Sequence, residues 1–508
     1  MSSLANRALK GSTLRVLQTI VSIGIGFWML PFLFNNLGQD QYAVWVLIGS
    51  VVATFYLLDL GFSQAVTRYV ARHIYDNNYN AANRVINTSL VIYSCLAIIV
   101  FLTTLIIASL APNLFKTSFN DDDAIYVAVL ILGVSLALEF PAKAFPGIIS
   151  AYMRYDTIAK VRIVITIFKA ILIYIFISDG YGIIALASIM LILNLCSTAF
   201  FVLYSQKLFK EISYSWMHVK KEELHEIFHF SKWVFVTDTA FLLKDKLGLW
   251  IIAAYSLTPL LPIFYAAQRL TEYASQFLMQ ALGITSPIFT KFYAEKNTEK
   301  MLQTLSIFVK LYALFSMIIM CGFIIVGKQF LEVWMGDSFD HQTAYECLIF
   351  LSMGAFFTMM SAPYNSLLMT LKKHKYAALM AIIEIGAALA TVYYIMPEQG
   401  LLGVAIATGL VIGIIKAISL PCICAYHFNS ASITILIRSI ACFFLAIGSS
   451  LILIEVLTIK NTWISIIYNG AISTVCSLIP GYLIFNKDER YKIKSWLTTK
   501  TNRKNSIS

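Results

Sequence analysis

The chain has 508 residues, of which 59% are hydrophobic and only 13% are charged, and its mean hydropathy is +0.76. Soluble domains are close to half apolar and one-quarter charged, so this composition excludes an ordinary soluble globular protein. Apolar runs long enough to cross ~30 Å of hydrocarbon recur from Leu14 to Phe485, and they predict a chain that spans a membrane many times.

The apolar runs predict about fourteen transmembrane helices and an all-α integral membrane protein. In chain order they are residues 14–34, 42–60, 86–110, 124–147, 161–178, 183–203, 231–254, 260–283, 305–327, 344–369, 377–396, 403–426, 433–457 and 463–485. The segment before the first run is polar and basic, and that run is too long for the apolar part of a signal peptide. We therefore expect residues 14–34 to form the first membrane helix.

Lysine and arginine test this helix count, because they concentrate on the cytoplasmic side of membrane proteins. With a cytoplasmic N-terminus, 28 of the 38 basic residues fall in inside segments, 3 fall in outside segments and 7 fall within helices. A miscounted helix would destroy this alternation. The pattern predicts a multi-pass protein of the bacterial inner membrane with both termini cytoplasmic, and it explains the net charge of +11 without a nucleic-acid partner.

The outside loops are short, and the longest lies near residues 328–343. Polymerases and ligases of lipid-linked sugars act outside and need a larger external domain, so the chain is not expected to be an enzyme. No G-x-x-x-x-G-K-[ST] loop is present either, so the expected energy source is an ion gradient, the membrane potential or the cargo gradient.

Two weak internal matches predict a repeat of six helices. Residues 68–71 (RYVA) match 291–294 (KFYA) at an offset of 223, and Pro146 matches Pro363 at an offset of 217. Six crossings return to the same side, so the predicted repeats are parallel and form two pseudo-symmetric lobes around a central cavity. The predicted domains are 1–203 for the N-lobe, 204–230 for a cytoplasmic connector with an amphipathic helix, 231–426 for the C-lobe, 427–486 for two further helices, and 487–508 for a basic tail.

Charged residues inside the predicted helices are the candidates for function, since charge at hydrocarbon depth is costly and usually faces a cavity or a partner. The candidates for a cationic lumen that attracts phosphate are Lys143, Lys244, Lys246 and Arg269. The candidates for lumen or ion-coupling carboxylates are Asp59, Glu139, Asp238, Asp245, Glu272 and Glu384.

An alternative for these charges is that they form self-neutralising pairs that fix helix packing. Glu139 and Lys143 have i,i+4 spacing, and Arg269 and Glu272 have i,i+3 spacing, so each pair would share one helix face. Both interpretations stay open at this stage. Lys169 and Lys310 are expected to extend toward the cytoplasmic surface of the membrane, and Lys416 and Glu455 are expected to be structural.

One motif points toward an enzyme. His225-Glu226-Ile227-Phe228-His229 matches the H-E-x-x-H pattern of zinc proteases, in which two histidines share a helix face and bind the metal. The same segment is also an interfacial amphipathic helix, and no third ligand is apparent nearby. We therefore expect no metal and no cofactor. The eight cysteines lie mostly in apolar runs, where cysteine acts as a small hydrophobic residue.

The residues Leu57–Ala71 (LLDLGFSQAVTRYVA) resemble the end of the second helix in Wzx-type polysaccharide flippases, within the multidrug/oligosaccharidyl-lipid/polysaccharide exporter superfamily. Residues 37–42 (LGQDQY) are similar to that family's first outer loop. Lys244-Asp245-Lys246, followed by 263–270 (IFYAAQRL), resembles the region of its seventh and eighth helices. The chain departs from the family at Pro259 and Pro262, where the family more often has glycine.

The resemblance implies a two-lobed, fourteen-helix exporter that moves undecaprenyl-diphosphate-linked oligosaccharide to the outer leaflet for O-antigen, capsule or exopolysaccharide assembly. Asp59, Asp245 and Lys246 match positions in the family's motifs. The implied partners are the lipid-linked oligosaccharide, membrane lipids and the polysaccharide polymerase and ligase machinery. A drug antiporter or a flippase for the peptidoglycan precursor is the alternative transporter, and the zinc protease is the alternative enzyme.

Overall fold

In the computed structural model of the chain, all regular structure in the described part is helical. The described backbone comprises residues 2–59, 61–115, 119, 121–215, 219, 221–255, 257–371, 373–428, 432–457, 460–487 and 489–490. Within these ranges, side chains are described except those of residues 2–10, 12, 113–114, 221–222, 224–234, 236–238, 374–375 and 432.

Eighteen α-helices follow one another in the described residues. They are α1 (Ser2–Leu37), α2 (Gln39–Phe55), α3 (Phe62–Tyr75), α4 (Tyr79–Leu114), α5 (Asp122–Glu139), α6 (Ala144–Ala151), α7 (Tyr155–Ser178), α8 (Ile183–Leu208), α9 (Lys221–Ala254), α10 (Leu261–Ala281), α11 (Thr285–Ala294), α12 (Thr298–Met335), α13 (His341–Thr370), α14 (His374–Gln399), α15 (Leu401–Ala405), α16 (Ile412–Phe428), α17 (Ser432–Val456) and α18 (Trp463–Ile484).

These helices make fourteen membrane crossings, because four crossings are broken into two helices each: α2 with α3, α5 with α6, α10 with α11, and α15 with α16. Twelve stretches of the described residues have the length and hydropathy of a membrane span. The remaining two crossings, α9 and α10 with α11, carry charged residues such as Lys244 and Arg269. The prediction of an all-α protein with about fourteen transmembrane helices is confirmed.

Most helices extend beyond their predicted ends. The ninth crossing was predicted at 305–327, whereas α12 covers Thr298–Met335. The prediction followed the apolar residues only, and a helix continues past the hydrocarbon as long as its backbone hydrogen bonds can form. The N-terminus of α12 is fixed by Asn297, whose side chain accepts a hydrogen bond from the backbone N–H of Lys300.

The chain divides into two compact units between Pro262 and Ile263. The core of the first unit contains large buried side chains of α3, α4 and the α5–α6 break, among them Phe62, Tyr93 and Phe140. The first unit also includes α9, which packs against α2, α3 and α4. By its contacts, α9 therefore belongs with the helices that precede it in the chain. In the predicted six-helix repeat, by contrast, it is the first helix of the second series.

In the second unit, the core joins α12, α13 and α17. The rings of Phe356 and Phe443 stack with their centroids 3.8 Å apart, which anchors α17 outside the repeat to the centre of the unit. Gly354 on α13 lies directly against Gly409, in a π-helical segment between α15 and α16. Small residues at this crossing let two backbones approach closely without side chains between them.

The two six-helix series repeat with a constant offset. The starts of α4, α5 and α7 at Tyr79, Asp122 and Tyr155 recur 219 residues later as the starts of α12, α13 and α14. The helix caps repeat as well: Asp121 accepts a hydrogen bond from a backbone N–H at the start of α5, and Asp340 does the same for α13. The two pseudo-symmetric six-helix series predicted from the sequence are therefore present.

The offsets used to predict the repeat were wrong by a few residues. The match of 68–71 with 291–294 had an offset of 223, which exceeds 219 by about one helical turn. Residues one helical turn apart lie on the same helix face and are often of similar type. An alignment shifted by one turn can therefore pair similar residues that are not structurally equivalent. The match of Pro146 with Pro363 deviates by two residues.

Candidate functional site

The second membrane crossing is interrupted at its centre. Helix α2 ends at Phe55, residues Tyr56–Asp59 form a turn of 3₁₀-helix, and α3 begins after Gly61. Gly61 has φ +75°, in the left-handed region that glycine adopts without steric cost. The Asp-Leu-Gly motif is thus the place where the helix breaks, and the break presents Asp59 away from a regular helical position.

Asp59 is held by two hydroxyl groups. Its Oδ1 accepts hydrogen bonds from the Tyr93 hydroxyl at 2.7 Å and from Ser63 Oγ at 3.0 Å, and the two hydroxyl oxygens are 3.0 Å apart. The Tyr93 ring packs edge-on between Phe62 and Phe140, so its hydroxyl has a fixed direction. Ordered donors of this kind stabilise an ionised carboxylate at hydrocarbon depth.

The fourth crossing is interrupted in the same manner. Helix α5 ends at Glu139, and Phe140–Lys143, with Pro141 at its second position, forms a turn of 3₁₀-helix before α6. Glu139 Oε2 accepts a hydrogen bond from Asn194 Nδ2 on α8 at 3.0 Å and one from the Tyr56 hydroxyl at 3.4 Å. Each of the two carboxylates therefore lies beside a broken helix, near the middle of its crossing.

Lys143 does not form the ion pair that its spacing from Glu139 had suggested. Its Nζ lies 4.0 Å from the centroid of the Phe140 ring and 4.6 Å from that of Tyr56. No carboxylate oxygen of the described residues is within 4 Å of it. The 3₁₀ turn explains the difference, because residues four apart in a three-residue turn point in different directions.

Lys143 nevertheless interacts electrostatically with both Asp59 and Glu139. We call this group, together with Ser63, Tyr56, Tyr93 and Asn194, the polar cluster. Its two carboxylates and one ammonium carry one net negative charge, and the three charged side chains are only partly buried. A net charge at hydrocarbon depth is costly, and the Arg162 guanidinium, which interacts electrostatically with the Tyr56 hydroxyl, is a further cation beside the cluster.

The equivalent positions in the second unit, 219 residues later, are uncharged. Asp59 corresponds to Leu278 and Tyr93 to Tyr312, and Leu278 and Tyr312 belong to one buried apolar cluster. Around them pack Leu282 and other apolar side chains. Tyr312 directs its hydroxyl to the sulfur of Met279 at 3.7 Å. The repeat thus supplies a scaffold twice, and only the first copy carries charge at this place.

Three consecutive charged residues lie on α9, Lys244, Asp245 and Lys246, and two of them form an ion pair. Lys246 Nζ lies 2.6 Å from Asp245 Oδ2, with the lysine side chain largely buried and the aspartate about half exposed. Lys244 lies on another face of the helix, with its Nζ 5.4 Å from the centroid of the Phe241 ring. Consecutive residues of a helix cannot share one face, and these side chains accordingly occupy different environments.

On α10, Arg269 and Glu272 form an ion pair. Arg269 Nη1 donates to Glu272 Oε2 at 2.6 Å, Gln268 Nε2 donates to the other carboxylate oxygen at 2.9 Å, and the guanidinium lies over the Tyr265 ring. This geometry agrees with the structural-pair interpretation of the i,i+3 spacing.

Two further candidate carboxylates, Glu384 and Asp238, lie on α14 and α9. Glu384 on α14 is the most buried of the described candidate carboxylates, with 2% of its surface exposed. Asp238 and the motif residues His225, Glu226 and His229 lie on α9, but their side chains fall outside the described residues. Among the side chains that are described, no group of three or more histidine, cysteine or acidic residues could hold a metal.

Four neutral members of the polar cluster were missing from the sequence-based candidates: Tyr56, Ser63, Tyr93 and Asn194. Tyrosine, serine and asparagine are common in membrane helices, so a single sequence gives no signal for them. For Ser63, the repeat carries a signal. An alignment at an offset of 219 places this polar residue opposite the apolar Leu282, which marks the position as different between the two copies.

Comparisons with known proteins agree with this fold. A family model described as "Polysaccharide biosynthesis protein" matches residues 37–344. The protein named "Putative O-antigen transporter" in Shigella flexneri is 22% identical over 391 residues, which covers 74% of this chain and 88% of that protein. A protein of the same name in Salmonella typhi is 27% identical over 111 residues, covering 21% of this chain and 24% of that protein.

Solved transporter structures share the architecture. A structure titled "Lipid II flippase MurJ, inward closed conformation" has a TM-score of 0.68 at 14% identity and covers 93% of this chain and 97% of its own. An inward-facing multidrug resistance MATE family transporter of the MOP superfamily has a TM-score of 0.65 at 15% identity, covering 84% of this chain and 99% of its own. At these identities the similarity extends to the fold alone.

Proposed function

The chain belongs to the polysaccharide biosynthesis protein family, and we propose that it is a flippase for lipid-linked saccharide. It carries undecaprenyl-diphosphate-linked oligosaccharide from the cytoplasmic to the outer leaflet of the bacterial inner membrane by alternating access. Both termini are cytoplasmic in this proposal, which follows the distribution of lysine and arginine. The two lobes are residues 1–203 and 231–426, joined by the connector 204–230.

A lipid-linked saccharide fits both the fold and the relatives. The diphosphate and the sugars cannot cross hydrocarbon unaided, because desolvated charge needs pairing or hydration. A membrane protein with interrupted helices offers such groups a polar path, as broken helices do in transporters generally. The relatives in Shigella and Salmonella are named as transporters of O-antigen, which supports a saccharide cargo and a transporter, not an enzyme.

The polar cluster carries the proposal of ion coupling. Asp59 and Glu139 each lie at a helix break, and Lys143 interacts with both without forming an ion pair to either. A monovalent cation, either a proton or a metal ion, would bind at these two carboxylates and change their balance with Lys143. Binding and release of that cation on opposite sides of the membrane would then supply the driving force. Arg162, which interacts with the Tyr56 hydroxyl, is the further charge nearby.

Among the proposed lumen cations, Lys143 is the strongest candidate for contact with the diphosphate. Its ammonium rests near the aromatic ring of Phe140. Lys246 and Arg269 already have carboxylate partners, at Asp245 and Glu272, and a diphosphate would have to compete with them. Phosphate oxygens would replace ring contacts at lower cost than they would replace an ion pair.

Deletion of the gene, followed by analysis of lipids and surface polysaccharide, tests the cargo. We expect undecaprenyl-diphosphate-linked oligosaccharide to accumulate on the cytoplasmic side and surface polysaccharide to disappear. Restored export by the wild-type gene and failure of Asp59→Asn, at equal protein level, would support coupling through the polar cluster. Normal surface polysaccharide with increased sensitivity to cationic drugs would instead identify a drug antiporter.

A further inference from the structure

The second unit contains a buried lysine that is neutralised from the far end of the chain. Lys310 on α12 has only 2% of its side chain exposed, and its Nζ donates to both carboxylate oxygens of Glu489 at 2.7 and 2.8 Å. The expectation that Lys310 extends to the membrane surface was therefore wrong. A buried ammonium needs a fixed partner, so residue 489 is a structural part of the unit.

Glu489 remains ionised at neutral pH. Partial burial opposes its charge, but hydrogen bonds from Lys310 and from the backbone N–H of Asn486 outweigh this and lower the pKa of Glu489 below its ordinary value. The carboxylate would therefore lose its charge only as the pH falls through that lowered pKa, below the value for the unfolded chain. In the cytoplasmic pH range it stays fixed beside Lys310.

Two arginines hold the end of α18 at the same place. Arg438 on α17 donates to the carbonyl oxygens of Leu483 and Phe485 and to Asn486 Oδ1, at 2.6 to 3.1 Å. Arg490 donates to the same two carbonyl oxygens at 3.0 and 2.8 Å. These carbonyls have no partner within the helix, so the arginines cap its C-terminus.

The two guanidinium groups have hydrogen-bonding capacity left over. Each carries five N–H groups, of which Arg438 uses three and Arg490 uses two in contacts with described residues. Their side chains are held in place by the carbonyl contacts and, for Arg490, by the ring of Tyr482. A ligand with several acceptor oxygens would therefore meet donors that are already ordered.

Charge at this place is unbalanced. Lys310, Arg438 and Arg490 carry three positive charges against the single carboxylate of Glu489, so the described residues leave a net charge of +2. The C-terminal end of the α18 dipole offsets about half a charge. Two guanidinium groups that share the same acceptors repel each other, and a bound anion would relieve this repulsion. We call these four side chains the C-terminal clamp.

The surroundings of the clamp indicate what the anion is attached to. Tyr482 and Leu483 are exposed beside the capped carbonyls, and Ile437, next to Arg438, has 63% of its surface exposed. In a membrane protein such side chains face acyl chains. We propose that the C-terminal clamp binds the phosphate of an anionic glycerophospholipid, with the two arginines on the phosphate and its acyl chains along α17 and α18.

Lipid retention by the purified full-length protein tests this proposal. Native mass spectrometry would follow binding of phosphatidylglycerol, with phosphatidylcholine as the neutral probe. In Arg490→Gln, Arg438 still caps both carbonyls, so we expect an intact fold and binding of one phosphatidylglycerol weakened ~10-fold, about 1.4 kcal/mol. Lys487→Gln is the matched control, because it removes one exposed positive charge three residues away and outside the clamp.

Two results would overturn the proposal. Equal weakening by Arg490→Gln and Lys487→Gln would mean that the basic end of the chain attracts anionic lipid without a defined site. Weakened binding of undecaprenyl diphosphate with unchanged binding of phosphatidylglycerol would assign the clamp to the isoprenoid cargo. Thermal unfolding of each variant, measured without added lipid, separates loss of the site from loss of the fold. The proposal does not depend on the transported substrate.

Discussion

Asp59 with Tyr93 in the first unit and Leu278 with Tyr312 in the second occupy equivalent places in the repeat, yet only the first pair carries charge. The Tyr93 hydroxyl donates to a carboxylate at 2.7 Å, whereas the Tyr312 hydroxyl has uncharged partners, the Met279 sulfur at 3.7 Å and the Thr285 side chain. The tyrosine is therefore retained where its charged partner is not. The helical scaffold and the chemistry placed on it can vary independently.

The contrast extends around both tyrosines. Ser63 and Lys143 correspond to Leu282 and Ala362, which pack in the apolar cluster of the second unit. In the first unit, ordered hydrogen-bond donors surround the charge of Asp59, whereas apolar side chains fill the equivalent space in the second unit. The proposed ion coupling would therefore use the first unit alone, and we expect substitutions at the equivalent place in the second unit to have little effect on transport.

Asp59→Leu places the residue of the second unit into the first and has the largest expected effect. It removes a carboxylate that accepts two hydrogen bonds, each worth roughly 1.5–3 kcal/mol when the acceptor is charged, so we expect export to fall by at least ~100-fold. Complementation of a deletion strain, with surface polysaccharide measured at equal protein level, would check this.

Leu278→Met is the control for that substitution, since it changes the equivalent position with little change in volume. Its export should remain within about twofold of the wild type. Normal export by Asp59→Leu would break the comparison, because it would show that the charged copy is as dispensable as the apolar one.

Lys143→Ala is expected to reduce export by ~10-fold, because an ammonium that contacts phosphate contributes about 1.5–3 kcal/mol. Lys160→Ala is the matched control, an exposed lysine on α7 for which we expect no loss. Protein level and thermal stability accompany both measurements. Equal export by the two variants would remove Lys143 from the cargo path and leave it only a role in balancing Asp59 and Glu139.

The sequence predicted the fold well because two independent features, the lengths of the apolar runs and the positions of the basic loops, indicate the same helices. Apolar run lengths and the alternation of basic loops constrain the same helix count. The charged members of the polar cluster were also found, since charge in a membrane helix is conspicuous. What could not be found was their geometry: the 3₁₀ turn at Phe140–Lys143 separates Lys143 from Glu139, and neutral partners such as Asn194 carry no signal.

Tyr93→Phe and Tyr312→Phe form the most direct pair of variants, since they remove the same hydroxyl at equivalent positions. Loss of the Tyr93 hydroxyl removes a hydrogen bond to Asp59, and we expect export to fall about fivefold, corresponding to ~1 kcal/mol. Loss of the Tyr312 hydroxyl should leave export unchanged. A dose–response of export against the imposed ion gradient would measure both, and equal behaviour of the two variants would contradict an asymmetric cluster.

Arg269→Ala has the smallest expected effect and tests whether charge in the second unit matters outside the equivalent place. Arg269 and Glu272 are about one-quarter exposed and neutralise each other, and such a pair contributes up to ~1 kcal/mol. Export should therefore fall by about two- to fivefold, and Arg269→Ala combined with Glu272→Ala should recover part of the loss, because neither charge is then left unpaired. If the double variant exports less than Arg269→Ala, each charge acts on the cargo separately, and the second unit contributes to the polar path as well as to its scaffold.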